Sequence, residues 1–257
     1  MSPASIRRAR RIVLLKLTWL EIKLLAREPV TLIFSFVFPI LVLVLLGGIF
    51  GDDHMHRGAY TGIKMMDWYV PAYVALVIAS IGTVSLPVHL ASYREKGVLR
   101  RFRASGVSEA SLLGSQLLVT LGVALVGALI ITILGLTVYG AREPASPAGV
   151  ALAYVTGVFC FSAIGVLLAS LARTARAAQS IGLLFWFVLL FVSGTSAPLD
   201  RLPDWMVTLG KWLPLYHVVV SLVDPWVGRG TNWAELGIVA GVGLAATLVS
   251  LKFFRWE

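Results

Sequence analysis

Hydrophobic residues along this chain fall into six long runs that shorter polar stretches separate. The runs lie near residues 30–50, 70–92, 111–139, 148–172, 177–197 and 234–254, and charged side chains occur in them only at the ends. Each run is long enough to cross about 30 Å of hydrocarbon as a helix. Lipid requires every backbone amide to find an internal partner, and the alternating pattern of a barrel is missing. The pattern therefore predicts an all-α polytopic membrane protein with six transmembrane helices in a single domain, residues 1–257.

The composition strengthens this prediction and adds an orientation. Hydrophobic residues make up 58% of the chain and charged residues 14%, which would leave a soluble domain with more apolar surface than it could bury. Of the 22 Lys and Arg residues, 16 fall on one side of the predicted spans and the remaining six on the other. Because short basic loops resist translocation, both termini are predicted to be cytoplasmic.

The segment before the first run is basic and amphipathic. Within residues 6–28, Lys16, Lys23 and Arg27 fall in one stripe of a helix, and Pro29 ends the pattern. A helix lying in the cytoplasmic interface has this character and would contact anionic lipid. A kinked extension of the first span remains an alternative. Nucleic-acid binding is not expected, since the cluster lacks interleaved aromatic residues and lies beside a membrane. The first span is long and has no convincing cleavage site, so we expect it to be retained.

A second basic stretch, YREKGVLRRFRASGVS at residues 93–108, separates the second and third runs. A helix would place Val98, Leu99 and Phe102 on one side, surrounded by basic residues. We call residues 94–103 the basic segment. Its pattern fits a short amphipathic docking helix, but a loop that only enforces topology would carry similar charge. The charge pattern alone leaves both interpretations open.

The order of all these features resembles the transmembrane subunit of type-2 ATP-binding-cassette exporters, a family of bacterial drug, lipid and polysaccharide exporters. In that family the loop after span two has an Arg-Glu-basic-Gly stretch, followed by Leu and further basic residues. A small-residue and Pro-rich exit from span five then leads to short external helices, with an aromatic-Pro-Leu-aromatic turn. The matching stretches here are Arg94 to Phe102, Ser193-Gly194, Pro198-Leu199, Leu202-Pro203-Asp204-Trp205 and Trp212-Leu213-Pro214-Leu215-Tyr216.

The resemblance implies a division of labour between subunits. The one Gly-Lys pair, Gly210-Lys211, lacks the glycine of a phosphate-binding loop, so this chain is not expected to be an enzyme or to bind a cofactor by itself. ATP and Mg would be bound by two copies of a separate ATPase subunit, which work with a second copy of this permease or with a related one. The complex would lie in the bacterial inner membrane. Residues implied in coupling to the ATPase are Arg94, Glu95, Lys96, Gly97, Val98, Leu99, Arg100, Arg101 and Phe102.

By the same resemblance, spans one, two and five would line the substrate route. The prolines of the external segment 198–232, together with Trp205, Trp212 and Trp226, predict short helices that dip into the outer leaflet and form a lid over the exit. Pro71 and Pro87 mark possible bends in span two. Aromatic residues of the route would include Phe34, Phe38, Phe185, Trp186 and Phe191, and they suit an amphipathic or lipidic substrate. The lid would include Pro198, Trp205, Trp212, Pro214 and Tyr216.

Other functions and sites have weaker support. A secondary transporter or channel would normally carry ionisable residues at mid-membrane, and the runs have none there. A membrane-embedded lipid enzyme would have to use Asp200, Asp204, His217 and Asp224, the available external acids and histidine. The stretch Asp52 to His56 could present metal ligands but is better explained as a solvated turn, and no metal site is predicted. Gly237 and Gly241 place small residues on one face of span six, which predicts close helix approach.

Overall fold

The computed structural model describes residues 29–56, 58–104, 109–197 and 202–253. No strand occurs in these ranges, apart from one isolated bridge between His54 and Lys64. Six helices in them are long and apolar enough to cross a membrane. The all-α polytopic fold is therefore confirmed. The predicted interfacial helix 6–28, with Lys16, Lys23 and Arg27, lies outside the described residues.

The spans are numbered in chain order. Their bounds are Ile33–Phe50, Met65–Glu95, Leu113–Val138, Pro147–Leu171, Ala175–Val192 and Trp233–Lys252. The helix of span 3 begins earlier than its apolar part, at Glu109. Shorter helices are Pro29–Leu32, Gly58–Tyr60, Val98–Ala104, Asp204–Gly210 and Pro214–Trp226. The last two form a bent helix pair, with axes 93° apart, which agrees with the predicted re-entrant helices before the last span.

Because successive spans alternate in direction, loops alternate between two ends of the bundle. The basic segment and the turn between spans 4 and 5 share one end, which we call the basic end. The loops that precede spans 2 and 4, together with the bent helix pair, share the opposite end.

Span 2 is the centre of the bundle, with 94% of its most apolar window buried. Every residue from Met65 to Ser85 is buried, so the helix is apolar all round and has no single buried face. In span 1 only 22% of the window is buried, and in spans 5 and 6 only 28%. Span 2 therefore has protein neighbours on all sides, whereas spans 1, 5 and 6 keep wide exposed faces within this chain.

Spans 1 and 2 each contain a π-helical turn before a proline. The turns are Ile33–Val37 and Ile81–Ser85, and each is followed by an amide that bonds to the carbonyl five residues earlier. Pro39 and Pro87 lack an N–H and cannot bond to the carbonyl four residues back, and π turns commonly accommodate such irregularities. The predicted irregularity at Pro87 is thus present. At Pro71 the α-helix continues without a π turn.

Two glycines let spans 4 and 5 approach this irregular part of span 2. A Cβ atom at Gly165 would lie 2.1 Å from the carbonyl oxygen of Gly82, and one at Gly182 would lie 2.1 Å from that of Thr83. Only glycine can fill such positions without moving the backbone. Gly237 and Gly241 of span 6 make no such approach within the described residues, because a Cβ atom added at either position would meet no atom there within 4 Å.

Candidate functional site

At the basic end, Arg94 joins span 2 to the end of span 4. Its Nη2 donates a hydrogen bond to the carbonyl oxygen of Ala169 at 3.2 Å and another to the carbonyl oxygen of Ala172. Ala172 is the C-cap of span 4, where backbone carbonyls lack helical partners and the helix dipole is negative. A guanidinium there satisfies two acceptors and complements the dipole, so Arg94 fixes the start of the basic segment to span 4.

The basic segment is not one continuous helix. Span 2 ends at Glu95, Gly97 turns the chain with φ of +65°, and a new helix covers Val98–Ala104. A positive φ is readily adopted only by glycine. The sequence analysis placed Leu99 on the apolar docking face, but Leu99 is only 2% exposed and is therefore buried within this chain. It is not a surface anchor for a partner.

The exposed part of the basic segment differs from the apolar face expected from the sequence. Glu95, Lys96 and Arg101 are exposed, and Val98 is half-buried. The side chains of Arg100 and Phe102 lie outside those that the structure describes. In the described part, the surface open to a partner is therefore mainly charged.

Three of the five predicted route residues meet between spans 1 and 5. The rings of Phe34 and Phe38 pack edge-on against Trp186, with centroids 5.3 and 5.0 Å away. Phe187 joins the same cluster at 5.2 Å from Trp186. The Trp186 indole is buried, and its N–H has no acceptor among the described residues. Such edge-to-face contacts give a rigid aromatic surface.

The other two route residues lie apart from this aromatic cluster. Phe185 is half-buried and packs against the main core, while Phe191 is exposed. The part of span 5 that joins the cluster is the face with Trp186 and Phe187. The sequence alone could not show which residues of the aromatic run 185–187 lie on that face.

At the opposite end, Asp224 of the bent helix pair organises a polar network that the sequence did not predict. Its carboxylate accepts hydrogen bonds from the Tyr60 hydroxyl at 2.9 Å and from the Asn232 amide at 2.7 Å. Arg229 lies 3.4 Å from the same carboxylate, and its guanidinium covers the Tyr60 ring at 5.0 Å. Burial and the negative charge of Asp224 raise the pKa of Tyr60 well above its usual value. The phenol thus stays protonated and donates to Asp224.

Span 2 is tied to this end through its first residues. The Trp68 indole donates to the carbonyl oxygen of Gly194, just after span 5, at 3.0 Å. The Asp67 carboxylate accepts a 2.7 Å hydrogen bond from the backbone N–H of Arg142, in the loop before span 4. The Trp226 indole donates to the Arg142 carbonyl oxygen at 3.0 Å. Span 2, the bent helix pair and the loops around them therefore form one connected structure.

The predicted lid residues occupy different environments. Trp205 and Trp212 are strongly exposed, at 63% and 82%, whereas Pro214 and Tyr216 are half-buried. Pro214 begins the second helix of the bent pair, where the missing N–H costs nothing. Pro198 lies outside the described residues. The two exposed indoles suit a membrane interface, which aromatic residues of this type favour.

A catalytic interpretation of Asp204, His217 and Asp224 gains no geometric support, and Asp200 lies outside the described residues. Asp204 is exposed in the first turn of its helix, whereas Asp224 is committed to Tyr60, Asn232 and Arg229. His217 lies 2.5 Å from Glu235 and 2.9 Å from the carbonyl oxygen of Lys211. The contacts of Asp224 and His217 join the bent helix pair to neighbouring segments, which is a structural role.

Comparison with known proteins decides the family. Residues 13–225 match the family described as ABC-2 type transporter. The chain belongs to this family. It is a membrane transport protein of the permease type, and its described residues include six helices that could span a membrane.

Two relatives of this chain differ greatly in length. The chain is 27% identical over 179 residues to "ABC transporter G family member 20" of Dictyostelium discoideum, a match that covers 68% of this chain and 24% of that protein. It is 22% identical over 249 residues to "Putative transport permease YvfS" of Bacillus subtilis (strain 168), covering 95% of this chain and 97% of that protein. The chain thus spans about a quarter of the first relative and nearly all of the second.

Proposed function

We propose that this ABC-2 permease is the membrane subunit of an ATP-driven exporter that moves a hydrophobic or amphipathic substrate, such as a drug, lipid or glycolipid, outward. Two copies of a separate subunit bind ATP and Mg and hydrolyse the nucleotide. Two permease copies, or this permease and a related one, complete the complex in the bacterial plasma membrane. Both termini are cytoplasmic, so the basic end faces the ATPase.

The observation that carries this proposal is the way span 2 is fixed at both ends. At the basic end, Arg94 bonds to the last carbonyls of span 4. At the opposite end, Trp68 bonds to the chain just after span 5. A partner that displaces the helix Val98–Ala104 would therefore move span 2 together with its neighbours. Rigid-body movement of this kind can open an external gate.

The contacts in the middle of span 2 support the same mechanism. Gly165 of span 4 and Gly182 of span 5 lie against backbone carbonyls of its π turn. Packed backbones at such distances cannot slide past each other freely. Displacement at the basic end is therefore transmitted along the bundle instead of being absorbed by local side-chain movement.

The aromatic cluster supports an amphipathic substrate. Phe34 and Phe38 are half-buried, so parts of their rings remain open between spans 1 and 5, while the buried Trp186 holds them in place from beneath. None of the rings in the cluster carries a charge, so the substrate does not need an ionic group to bind there. The apolar part of an amphipathic molecule fits this chemistry.

A second permease copy would cover apolar surface that this chain leaves open. Val37 and Leu41 of span 1 and Leu184 and Val188 of span 5 are all exposed, on the two spans that also hold the aromatic cluster. A partner permease packed on this face would place two aromatic clusters close together and would enclose a route between the subunits.

The test begins with purification of the full chain from its native membranes in mild detergent, followed by mass spectrometry of the proteins that remain bound. We expect a Walker-type ATPase in the complex. Both subunits are then reconstituted in liposomes, and ATP-dependent movement of a fluorescent phospholipid between leaflets is measured by chemical quenching. Failure to recover any ATPase, together with lipid movement that does not depend on ATP, would overturn the proposal in favour of a secondary transporter or channel.

The role of Arg94 is tested in the same assay. Arg94→Gln removes the charged donor to Ala169 and Ala172, so ATP hydrolysis should continue while transport per ATP falls about tenfold, the effect of about 1.4 kcal/mol of lost coupling. Arg176→Gln is the matched control, since it removes one positive charge from an exposed residue at the same end. Equal transport per ATP in both variants would exclude a coupling role for Arg94.

A further inference from the structure

A cavity of about 220 Å³ lies between spans 2, 3, 4 and 6, in the half of the bundle nearest the basic end. Its walls are largely apolar and include Leu86, Leu117, Phe159 and Val166. An engineered apolar cavity of about 150 Å³ already binds benzene, so this cavity has room for several methylene groups of a chain. None of its lining residues belongs to span 1 or span 5, where the aromatic cluster lies.

Two buried polar groups distinguish this cavity from a packing defect. Gln116 of span 3 and Ser162 of span 4 both line it, and they are only 4% and 7% exposed. The Gln116 Nε2 and the Ser162 Oγ have no hydrogen-bond partner among the described residues. An unpaired polar group buried in a membrane protein is costly. A ligand acceptor that reached both donors from the cavity would satisfy them.

The surroundings of the cavity indicate the source of the ligand. Large apolar side chains next to it are exposed on the bundle surface, among them Leu118 of span 3 and Leu248 and Leu251 of span 6. Leu251 also lines the cavity itself. This surface faces hydrocarbon, so the accessible ligands are those that dissolve in the bilayer.

Depth narrows the ligand class further. Gln116 lies seven residues after Glu109, where the helix of span 3 begins at the basic end, a rise of about 10 Å along the axis. Ester carbonyls of glycerolipids lie at the border between headgroups and hydrocarbon, close to this level. An acyl chain with its ester carbonyl therefore matches the apolar walls and the two donors together.

We propose that this cavity is a binding site for a membrane glycerophospholipid from the leaflet at the basic end. One acyl chain occupies the apolar part, and an ester carbonyl accepts hydrogen bonds from Gln116 Nε2 and Ser162 Oγ. The lipid is bound in a place separate from the aromatic cluster, so it is a resident ligand of the bundle and is not the cargo of the proposed route.

A second cavity provides an internal comparison. It has a volume of about 270 Å³ and lies towards the opposite end, lined by Pro71, Val74, Leu129 and Trp226 among others. None of its lining residues carries one of the unpaired buried polar atoms found among the described residues. Size alone therefore does not select the proposed site; the two donors do.

The experiment uses native mass spectrometry of the purified chain, delipidated in detergent and titrated with a diacyl phosphatidylglycerol. The dialkyl ether analogue serves as the second probe, because it has the same chains and headgroup but no ester carbonyl. We expect the diacyl lipid to bind about tenfold more tightly than the ether analogue, which corresponds to the loss of about two neutral hydrogen bonds.

Variants of the chain distinguish lipid binding in this cavity from nonspecific lipid binding elsewhere on the surface. Gln116→Leu should remove most of the preference for the diacyl lipid, and Gly114→Leu should fill the cavity and abolish tight binding of both lipids. Gly114 lines the cavity and has no atom within 4 Å of a Cβ position, so this variant should fold normally. Thr156→Val, on span 4 outside the cavity, is the control and should bind like the parent. Equal binding of both lipids by the parent, or unchanged binding by Gly114→Leu, would overturn the proposal.

Discussion

Replacement of Asp224 by Asn tests whether the polar network at the opposite end stabilises the bundle. The carboxylate now accepts from Tyr60 at 2.9 Å and from Asn232 at 2.7 Å, with Arg229 at 3.4 Å. An Asn side chain has nearly the same shape but offers one acceptor and one donor group in place of two acceptors. The change therefore alters hydrogen bonding and charge with little change in packing.

The cost follows from the contacts of Asn232. If the new carbonyl group accepts from Tyr60, the new amide group faces the Asn232 amide, and two donors meet. Rotation of the Asn232 side chain would remove this conflict, but its Oδ1 now accepts from the Glu235 N–H at 3.2 Å. That contact caps span 6, and loss of an N-cap costs about 0.5–2 kcal/mol.

Replacement of charged hydrogen bonds by neutral ones adds to this cost. Hydrogen bonds to charged groups contribute about 1.5–3 kcal/mol, against about 0.5–1.5 kcal/mol for neutral ones. The ion pair with Arg229 adds little, because the Arg229 side chain is half-exposed. We expect a total loss of about 2 kcal/mol in the free energy of unfolding. For a chain of this size, that corresponds to a fall in Tm of about 4–8 °C.

The assay is thermal unfolding of the purified chain in detergent, followed by intrinsic tryptophan fluorescence. Asp204→Asn is the matched control, because Asp204 is an exposed acid in the same bent helix pair and should shift Tm by no more than about 1 °C. If Asp224→Asn and the control have the same Tm, the argument is refuted, because the polar network then contributes no net stability.

Two further predictions concern packing and orientation. Gly182→Ala should lower Tm by several degrees, because the added Cβ would lie 2.1 Å from the Thr83 carbonyl oxygen. Gly241→Ala is the control and should leave Tm unchanged or raise it, since no atom lies within 4 Å of the added Cβ. Equal Tm values for the two variants would contradict the close packing. A cysteine introduced at Ala104 should be shielded from an impermeant thiol reagent in intact cells, whereas one introduced at Gly230 should react. Both positions are exposed, and the charge asymmetry predicts that they lie on opposite sides of the membrane. The reverse labelling would overturn the orientation.

The fold was predictable because its main signal is hydrophobicity along the chain. Each apolar run must become a helix in lipid, so six runs gave six spans. The bends were partly predictable, since Pro87 marks a π turn while Pro71 continues a regular helix. Burial on all faces of span 2 was not visible, because a helix surrounded by protein and a helix surrounded by lipid are equally apolar.

The site residues were harder to predict for a related reason. Asp224 follows an apolar run in the sequence and looks like part of an external loop, but in the fold it lies near the end of the helix Pro214–Trp226 and contacts Tyr60 and Asn232. These partners are 164 and 8 residues away. A pattern read along the chain cannot contain the longer of these two contacts, since nothing in the local sequence around Tyr60 requires an acid.

Arg94 shows how a correct motif can still hide a contact. The stretch that contains it pointed to the family and to a docking surface, yet its guanidinium bonds to the main-chain carbonyls of Ala169 and Ala172. Main-chain acceptors carry no sequence signature, because every residue has a carbonyl group. The basic residues of this end therefore divide into two kinds. Arg94 holds the bundle together from within, while Lys96 and Arg101 are exposed and accessible to a partner, so a charge change in the second kind should alter partner affinity and its salt dependence before it alters the fold.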